Sequence, residues 1–466
     1  MFSRLAYPRI AAIGLLVALA TSWATGSDGP QTGAPPFAAM TVHQVDGPVY
    51  AMAWGLIDPA HPAGAVACLL ENASVLQLAP IRAGWSASLL HVGLTPIHGM
   101  IDRPTICIGD VHSGYPGNEI VLDGGKYMTV LYRQPTGSWT HEIVFDSTPY
   151  IGAGWGSRVG NADPNRPGEE ILHIYEAVLD RSVGRLFREV NGRWQEDIIY
   201  DDHVVMDTAI GQFDPMHPGN EIVAVTEAGY TYQLTPPSPP KGGLWPMRLI
   251  WNDMPNSGWV VKIADVEPER PGNELVYGTR YNNRILMSYP AAGTAGHELQ
   301  VLYTGVGGDN YTMYDIAIGN VLPDAPGLEI LGVDGTGSVY LVQRIARNNW
   351  KGRVIWQTPD GSPLHAIVAG DFLPGRDGDE ILVAGQSGTF TMLMVASPAD
   401  FDRDGDVDAD DLAAFVSCYS RPSVPYTGDC SAMDFDGDGD VDQSDFGIFQ
   451  RCWSGAGIPA PLRCAD

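Results

Sequence analysis

The chain has 466 residues, 44% of them apolar, enough for one large core and one small one, and a formal net charge of -28. That charge argues against nucleic acid as a partner, because phosphate recognition needs clusters of Lys and Arg and the 27 basic residues are spread along the length. Part of the acidity is local: residues 400–466 hold fifteen Asp and four Arg, so 15 - 4 = 11 of the 28 negative charges lie there.

The first residues, MFSRLAYPRIAAIGLLVALATSWA, place Arg4 and Arg9 ahead of an apolar run from Ile10 to Ala20, with small residues ending at Ala24. This is the pattern of a secretory signal peptide over 1–24. The run is short for a membrane span, no cysteine follows it to take a lipid, and no later stretch is continuously apolar over about 18 residues. The mature protein is therefore expected to be exported, to the medium, the cell surface or a periplasm, and not to be an integral membrane protein. Residues 25–36 read as a flexible linker.

From residue 37 to 396 a unit slightly longer than 50 residues repeats. Six copies are plain: IGDVHSGYPGNEIV, VGNADPNRPGEEIL, IGQFDPMHPGNEIV, IADVEPERPGNELV, IGNVLPDAPGLEIL and AGDFLPGRDGDEIL. A worn seventh, WGLIDPAHPAGAVA, has Ala65 where the others have Glu119, Glu170, Glu221, Glu274, Glu329 and Glu380. Each copy reads as four short strands separated by Gly/Pro turns, which predicts an all-β, seven-bladed β-propeller of four-stranded blades. The last copy is one strand short and an orphan strand, AMTVHQV, precedes the first, so the N-terminal strand is expected to close the last blade.

The Gly-Asp at the end of the inner strand and the turn leading to Glu-Ile resemble secreted propellers of FG-GAP or VCBS-like repeats, over about 360 residues. Many members of those families carry a DxDxDG calcium loop in this turn; here Pro-Gly replaces it. Asn161, Asp163, Asn165 and Glu170, and likewise Asp265, Glu267, Glu269 and Glu274, offer oxygens at alternate positions. The competing reading is that the Asp or Asn caps turn N–H groups and the Glu pins the next strand.

The resemblance places a ligand at the channel mouth, on the loops entering the inner strands. Five residues before the repeat glycine, or before Ala264 in its place, stand Tyr50, Pro104, Trp155, Met206, Trp259, Tyr314 and His365. Arg158, Lys262, Asp207 and Asp315 follow on the same strands, with His98, His203 and Arg280 in loops expected on that face. Rings with a few polar groups suit a polysaccharide, since sugar rings stack on aromatic faces. Packing between blades explains the same rings. An enzyme of polysaccharide-lyase type is the alternative function, with Arg158, Lys262 or His365 as the charge and base it needs. No nucleophile motif is present, and GWGSRVG is not the hydrolase GxSxG. Cys68 and Cys107 fall on neighbouring blades, as a bridge or as two free thiols.

Residues 397–466 form the second predicted domain. With Asp400 as position 1 of a calcium loop, Asp402, Asp404, Asp406, Asp408 and Asp411 fall at positions 3, 5, 7, 9 and 12, with Gly405 at 6. Asp434, Asp436, Asp438, Asp440, Asp442 and Asp445 repeat this 34 residues on, predicting two bound Ca2+. An apolar helical start follows each loop, LAAFVSCY and FGIFQRCW. Cys418 and Cys452 lie at the same offset from their loops, and the simplest of three pairings is Cys418 with Cys430 and Cys452 with Cys464; a zinc site is the rival, without a CxxC to support it. Paired loop-helix units with Asp at position 12 resemble the dockerin type I family, which implies docking onto a cohesin-like module. Ala409-Asp410 and Gln443-Ser444 stand where that family often has the Ser/Thr pairs that touch cohesin. The chain thus reads as an exported calcium-binding protein that binds or assembles.

Overall fold

Seven antiparallel four-stranded sheets make up most of the structure, a computed structural model. It describes residues 36–465 except 82–83, 94–103, 113, 116, 124–126, 147–155, 167, 178–179, 190–191, 218, 239–241, 253–257, 292–295 and 308–310. The expected signal peptide and nearly all of the linker therefore lie outside the described residues. The inner strands of the seven blades are Val49–Gly55, Thr105–Gly109, Gly156–Gly160, Val205–Gly211, Gly258–Ala264, Met313–Gly319 and Leu364–Gly370. No helix among the described residues is long and apolar enough to cross a membrane.

The burial pattern follows from the blade geometry. The second strands, such as Glu119–Asp123, Glu221–Thr226, Glu329–Asp334 and Glu380–Gly385, are buried at every position. Each lies inside a sheet covered on both faces by neighbouring blades, so it reads as a continuous apolar run. An outer strand such as Trp139–Asp146 alternates between half-buried and exposed positions because it borders solvent. The core lies between blades: one cluster joins Leu172 of the third, Ile222 of the fourth and Leu275 of the fifth.

The repeat glycine and glutamate have separate tasks. A Cβ on Gly109 would lie 2.3 Å from the Val159 side chain of the next blade, and one on Gly370 would lie 2.6 Å from Nε1 of Trp54 in the first. Glycine is therefore what lets neighbouring inner strands approach. Glu119 accepts the backbone N–H groups of Val111 and His112 at 3.0 and 2.9 Å, and Glu170, Glu274 and Glu380 hold their own turns the same way. Burial pushes the Glu119 carboxyl from its ordinary 4.5 up to about 8, against the pull of those N–H groups.

The ring closes through the N-terminal strand, Phe37–Gln44. It pairs antiparallel with Thr389–Val395, from Phe37 opposite Val395 to Thr41 opposite Thr391, with one irregularity before His43 meets Phe390. The last blade is thus built from both ends of the propeller, as the strand count in the sequence implied.

Two helices, Ala409–Ser417 and Gln443–Cys452, follow the acidic loops, and each starts in a capping box, Asp408 with Asp411 and Asp442 with Asp445. They begin three residues earlier than the apolar runs suggested, because the cap lies within the loop itself. Cys418 is bonded to Cys430 and Cys452 to Cys464, whereas Cys68 and Cys107 are free thiols. Phe415 and Phe449, 5.3 Å apart, centre a small core. The halves hold each other: Ser420 N–H donates to Val441 O at 3.0 Å, and Ser454 N–H to Val407 O at 3.1 Å. Pro35–Asp466, propeller and tail together, form one compact unit.

Candidate functional site

Five inner strands carry a β-bulge near their start, between Val49 and Ala51, Val205 and Asp207, Gly258 and Val260, Met313 and Asp315, and Leu364 and Ala366. The extra residues are Tyr50, Met206, Trp259, Tyr314 and His365, which are those picked out five positions before the repeat glycine or Ala264. A bulged residue leaves the alternation of its strand and its side chain can be re-aimed. Four of these side chains turn into one cavity of about 480 Å³ where the inner strands begin. Met206 is instead fully buried in the core.

Tyr50, Arg158, Trp259, Lys262, Tyr314 and His365 all line this cavity, joined by Pro104 and Arg280. Trp155 and His98 lie outside the described residues. His203 is not part of the cavity; its ring packs edge-on to Tyr230 at 4.9 Å. On one side of the cavity the rings form a row across three blades: Tyr50 stacks on His365 at 5.6 Å, and His365 meets the Tyr314 edge at 5.6 Å. His365 Nδ1 lies 3.2 Å from Val49 O, which accepts its proton and leaves Nε2 as the basic nitrogen. Burial lowers the imidazole below its ordinary value, against the pull of that hydrogen bond, so the ring is neutral at pH 7.

On the other side, charge alternates from blade to blade. Arg158 of the third lies 2.7 Å from Asp207 of the fourth, and Lys262 of the fifth lies 4.0 Å from Asp315 of the sixth. The carboxylates are also fixed to backbone: Asp207 accepts Thr208 N–H at 2.9 Å and Val261 N–H at 3.0 Å, and Asp315 accepts Ile316 N–H at 2.9 Å and Ile367 N–H at 3.2 Å. Each Asp therefore staples its own inner strand to the next and holds a cation at the cavity wall. Arg280 pairs with Glu227 at 2.7 Å, and its guanidinium lies 5.2 Å from the Trp259 ring centre.

Gln386 and Thr312 also line the cavity and were not singled out from the sequence. Gln386 was within reach of the repeat: it stands six residues after Glu380, as Arg280 stands six after Glu274 and Glu227 six after Glu221. Thr312 follows no repeat position.

The acidic turns of the propeller are occupied by protein. Asp163 pairs with buried Arg185 at 2.7 Å, Glu267 with Arg270, and Glu269 with Arg344. Among the described residues, the acidic groups close enough to share an ion all lie in the tail. There Asp400, Asp402 and Asp411 converge, as do Asp406, Asp408 and Asp411; the second loop gathers Asp434, Asp436 and Asp445, and Asp440, Asp442 and Asp445. Asp404 and Asp438 stand outside these groups; each accepts the N–H two residues on, at 3.3 and 3.1 Å. Asp400 Oδ1, Asp406 Oδ1 and Asp440 Oδ1 are buried without a hydrogen-bond partner. A buried carboxylate oxygen so placed is satisfied by a proton or by a cation, and an all-oxygen set would suit a hard divalent ion. Burial, with repulsion from Asp411 and its neighbours, raises the Asp400 carboxyl to about 7.

No protein-family model and no curated protein matches the chain. Among solved structures it is similar to BBS1N, crystallised in complex with ARL6DN, with 11% identity, a TM-score of 0.50, and coverage of 78% of this chain and 97% of that one. It is also similar to the Cps50 (Swd1) β-propeller domain of Myceliophteria thermophila, with 10% identity, a TM-score of 0.49, and coverage of 77% and 100%. At these identities the likeness concerns the fold alone.

Proposed function

We propose that the chain is an exported, calcium-dependent binding and assembly protein, in which an FG-GAP/VCBS-like propeller (37–396) takes a polysaccharide at its channel mouth and a dockerin-like tail (397–466) docks onto a cohesin-like module. One observation carries the ligand reading: a single cavity brings together the Tyr50, His365 and Tyr314 row, Trp259, and the ion pairs of Arg158 and Lys262. Stacked rings offer faces to pyranose rings, and fixed ion pairs offer both donors and acceptors to hydroxyls. Calcium is supported by the convergent carboxylates and their partnerless buried oxygens. Export rests on the leader pattern of the first 24 residues. The test is retention of the protein on a broad panel of immobilised glycans, alongside a Tyr50→Ala, Tyr314→Ala double variant, both of whose rings are only half-buried, with its fold checked by circular dichroism. Retention by the parent and loss by the variant is the expected result; a parent retained by no glycan would return these rings to a packing role.

One observation favours a lyase-type enzyme as a second reading. His365 is neutral with a basic Nε2, in the same cavity as Arg158 and Lys262, which could face the carboxylate of an acidic sugar. Such an enzyme would release unsaturated oligosaccharides from a polyuronate, and His365→Asn would abolish the release. Binding without any such product decides for the first reading.

A further inference from the structure

The two acidic loops are near copies, but the fold gives them different neighbours. The first rests on the strand that closes the propeller. Ala39, in that strand, donates its N–H to Arg403 O at 3.1 Å, and Arg403 holds the position that Gly437 holds in the second loop. The turn of the first loop lies over the same strand and its partner: a Cβ on Gly405 would be 3.2 Å from Met394 Cε and 3.4 Å from Met40 Cε. Gly437 and Gly439, the corresponding region of the second loop, face open space.

Further bonds tie the first loop to the last blade. Ala460 N–H donates to Gly405 O at 3.0 Å, and Arg376 of the last blade donates to Ala460 O and to Val395 O, the end of the strand that pairs with Phe37–Gln44. Arg463, in the segment bridged to the second helix, reaches Asp377 of the last blade at 2.6 Å and Asp324 of the sixth at 2.9 Å. Within this seat, Asp400 and Asp406 are 5% and 4% exposed, and each has a buried Oδ1 with no partner.

From this asymmetry we infer that the first loop is a calcium-dependent clasp on the closure of the propeller, while the second loop serves the tail alone. The inference rests on the calcium reading above. An ion drawing Asp400, Asp402 and Asp411 together holds the turn from Arg403 to Gly405 in the shape that meets Ala39, Met40 and Met394. Whatever free energy the ion gains in the clasped form over the released one is by linkage added to the closing strand. Among the described residues, no backbone hydrogen bond joins the second loop itself to the closing strand, and the second unit meets the propeller only through the segment after its helix.

The full chain, with calcium as the only titrant, tests this. Hydrogen exchange is followed in the segment 37–44, for the parent and for Asp402→Asn and Asp436→Asn, which keep a side-chain acceptor at the third loop position. Ion stoichiometry is read separately by calorimetry. Removing calcium from the parent is expected to speed exchange in 37–44 by about tenfold or more, the range of a local opening. Asp402→Asn should exchange fast even with calcium, and Asp436→Asn should stay protected. A parent that binds two ions but protects 37–44 equally without them overturns the clasp and leaves the calcium reading standing. Equal loss of protection in both variants overturns the division between the loops. A parent that binds no calcium overturns the clasp and the calcium reading together.

Discussion

The Tyr50 and His365 rings lie 5.6 Å apart and within 3° of parallel, one in the first blade and the other in the last. The candidate ligand site therefore straddles the junction between the beginning and the end of the propeller. Val49 O, which holds the His365 ring through Nδ1, belongs to the same junction. The pair is expected to act as one stacking platform: Tyr50→Ala or His365→Ala should weaken glycan retention about tenfold, the scale of one lost ring contact. The double variant should be little worse than either single one, because each ring fixes the other. Binding isotherms read this directly, and additive losses would mean that the rings act separately.

Deleting Phe37–Gln44 removes the outer strand of the last blade and exposes the edge of Thr389–Val395. Aggregation, or a large fall in melting temperature, is expected. A truncated protein that melts like the parent would contradict closure by this strand.

Glu119 makes the propeller sensitive to pH. Its carboxyl is raised from 4.5 to about 8, so the folded state holds a proton that the unfolded chain has released across that interval. Stability from this group is complete below 4.5 and is lost as pH rises toward 8. Glu119→Gln keeps an acceptor for Val111 and His112 but cannot ionise. Its melting temperature relative to the parent should rise between pH 5 and pH 8.5, and a constant difference would show that Glu119 is already ionised at the lower pH.

Much of this architecture was legible because a closed ring forces the same contacts seven times. Gly109 and Glu119 recur for reasons any blade shares: close approach of the inner strands, and capture of two turn N–H groups. The row of rings stands at a fixed count before the repeat glycine, although the backbone feature behind it, the bulge, leaves no composition signal of its own. The counter-charges were less visible. Arg158 and Asp207 stand in different blades, at different distances from their repeat glycines, so their pairing needs the packing of one blade on the next. The partners of the acidic turns were hidden for the same reason: Arg185 lies 22 residues from Asp163, and Arg344 lies 75 from Glu269.

The tail is small enough for its bridges to matter. Opening the Cys452–Cys464 bridge as Cys452→Ser with Cys464→Ser should destabilise the tail by about 3 kcal/mol, the order expected for a loop of this size. Ser454, which holds the first loop through Val407, lies inside that bridged segment. Limited proteolysis should therefore cut the variant within residues 453–463 faster than the parent, with the propeller left whole; equal cutting would make the bridge dispensable.

The pairing of Phe37 with Val395 also sets a timetable. The two residues are 395 - 37 = 358 positions apart, so at roughly 5–20 residues per second a ribosome needs about 20–70 s to deliver the second after the first. Throughout that interval the opening strand has no mate, and six blades can assemble before the seventh is possible. A chain built this way gains if it is kept extended until both ends have arrived.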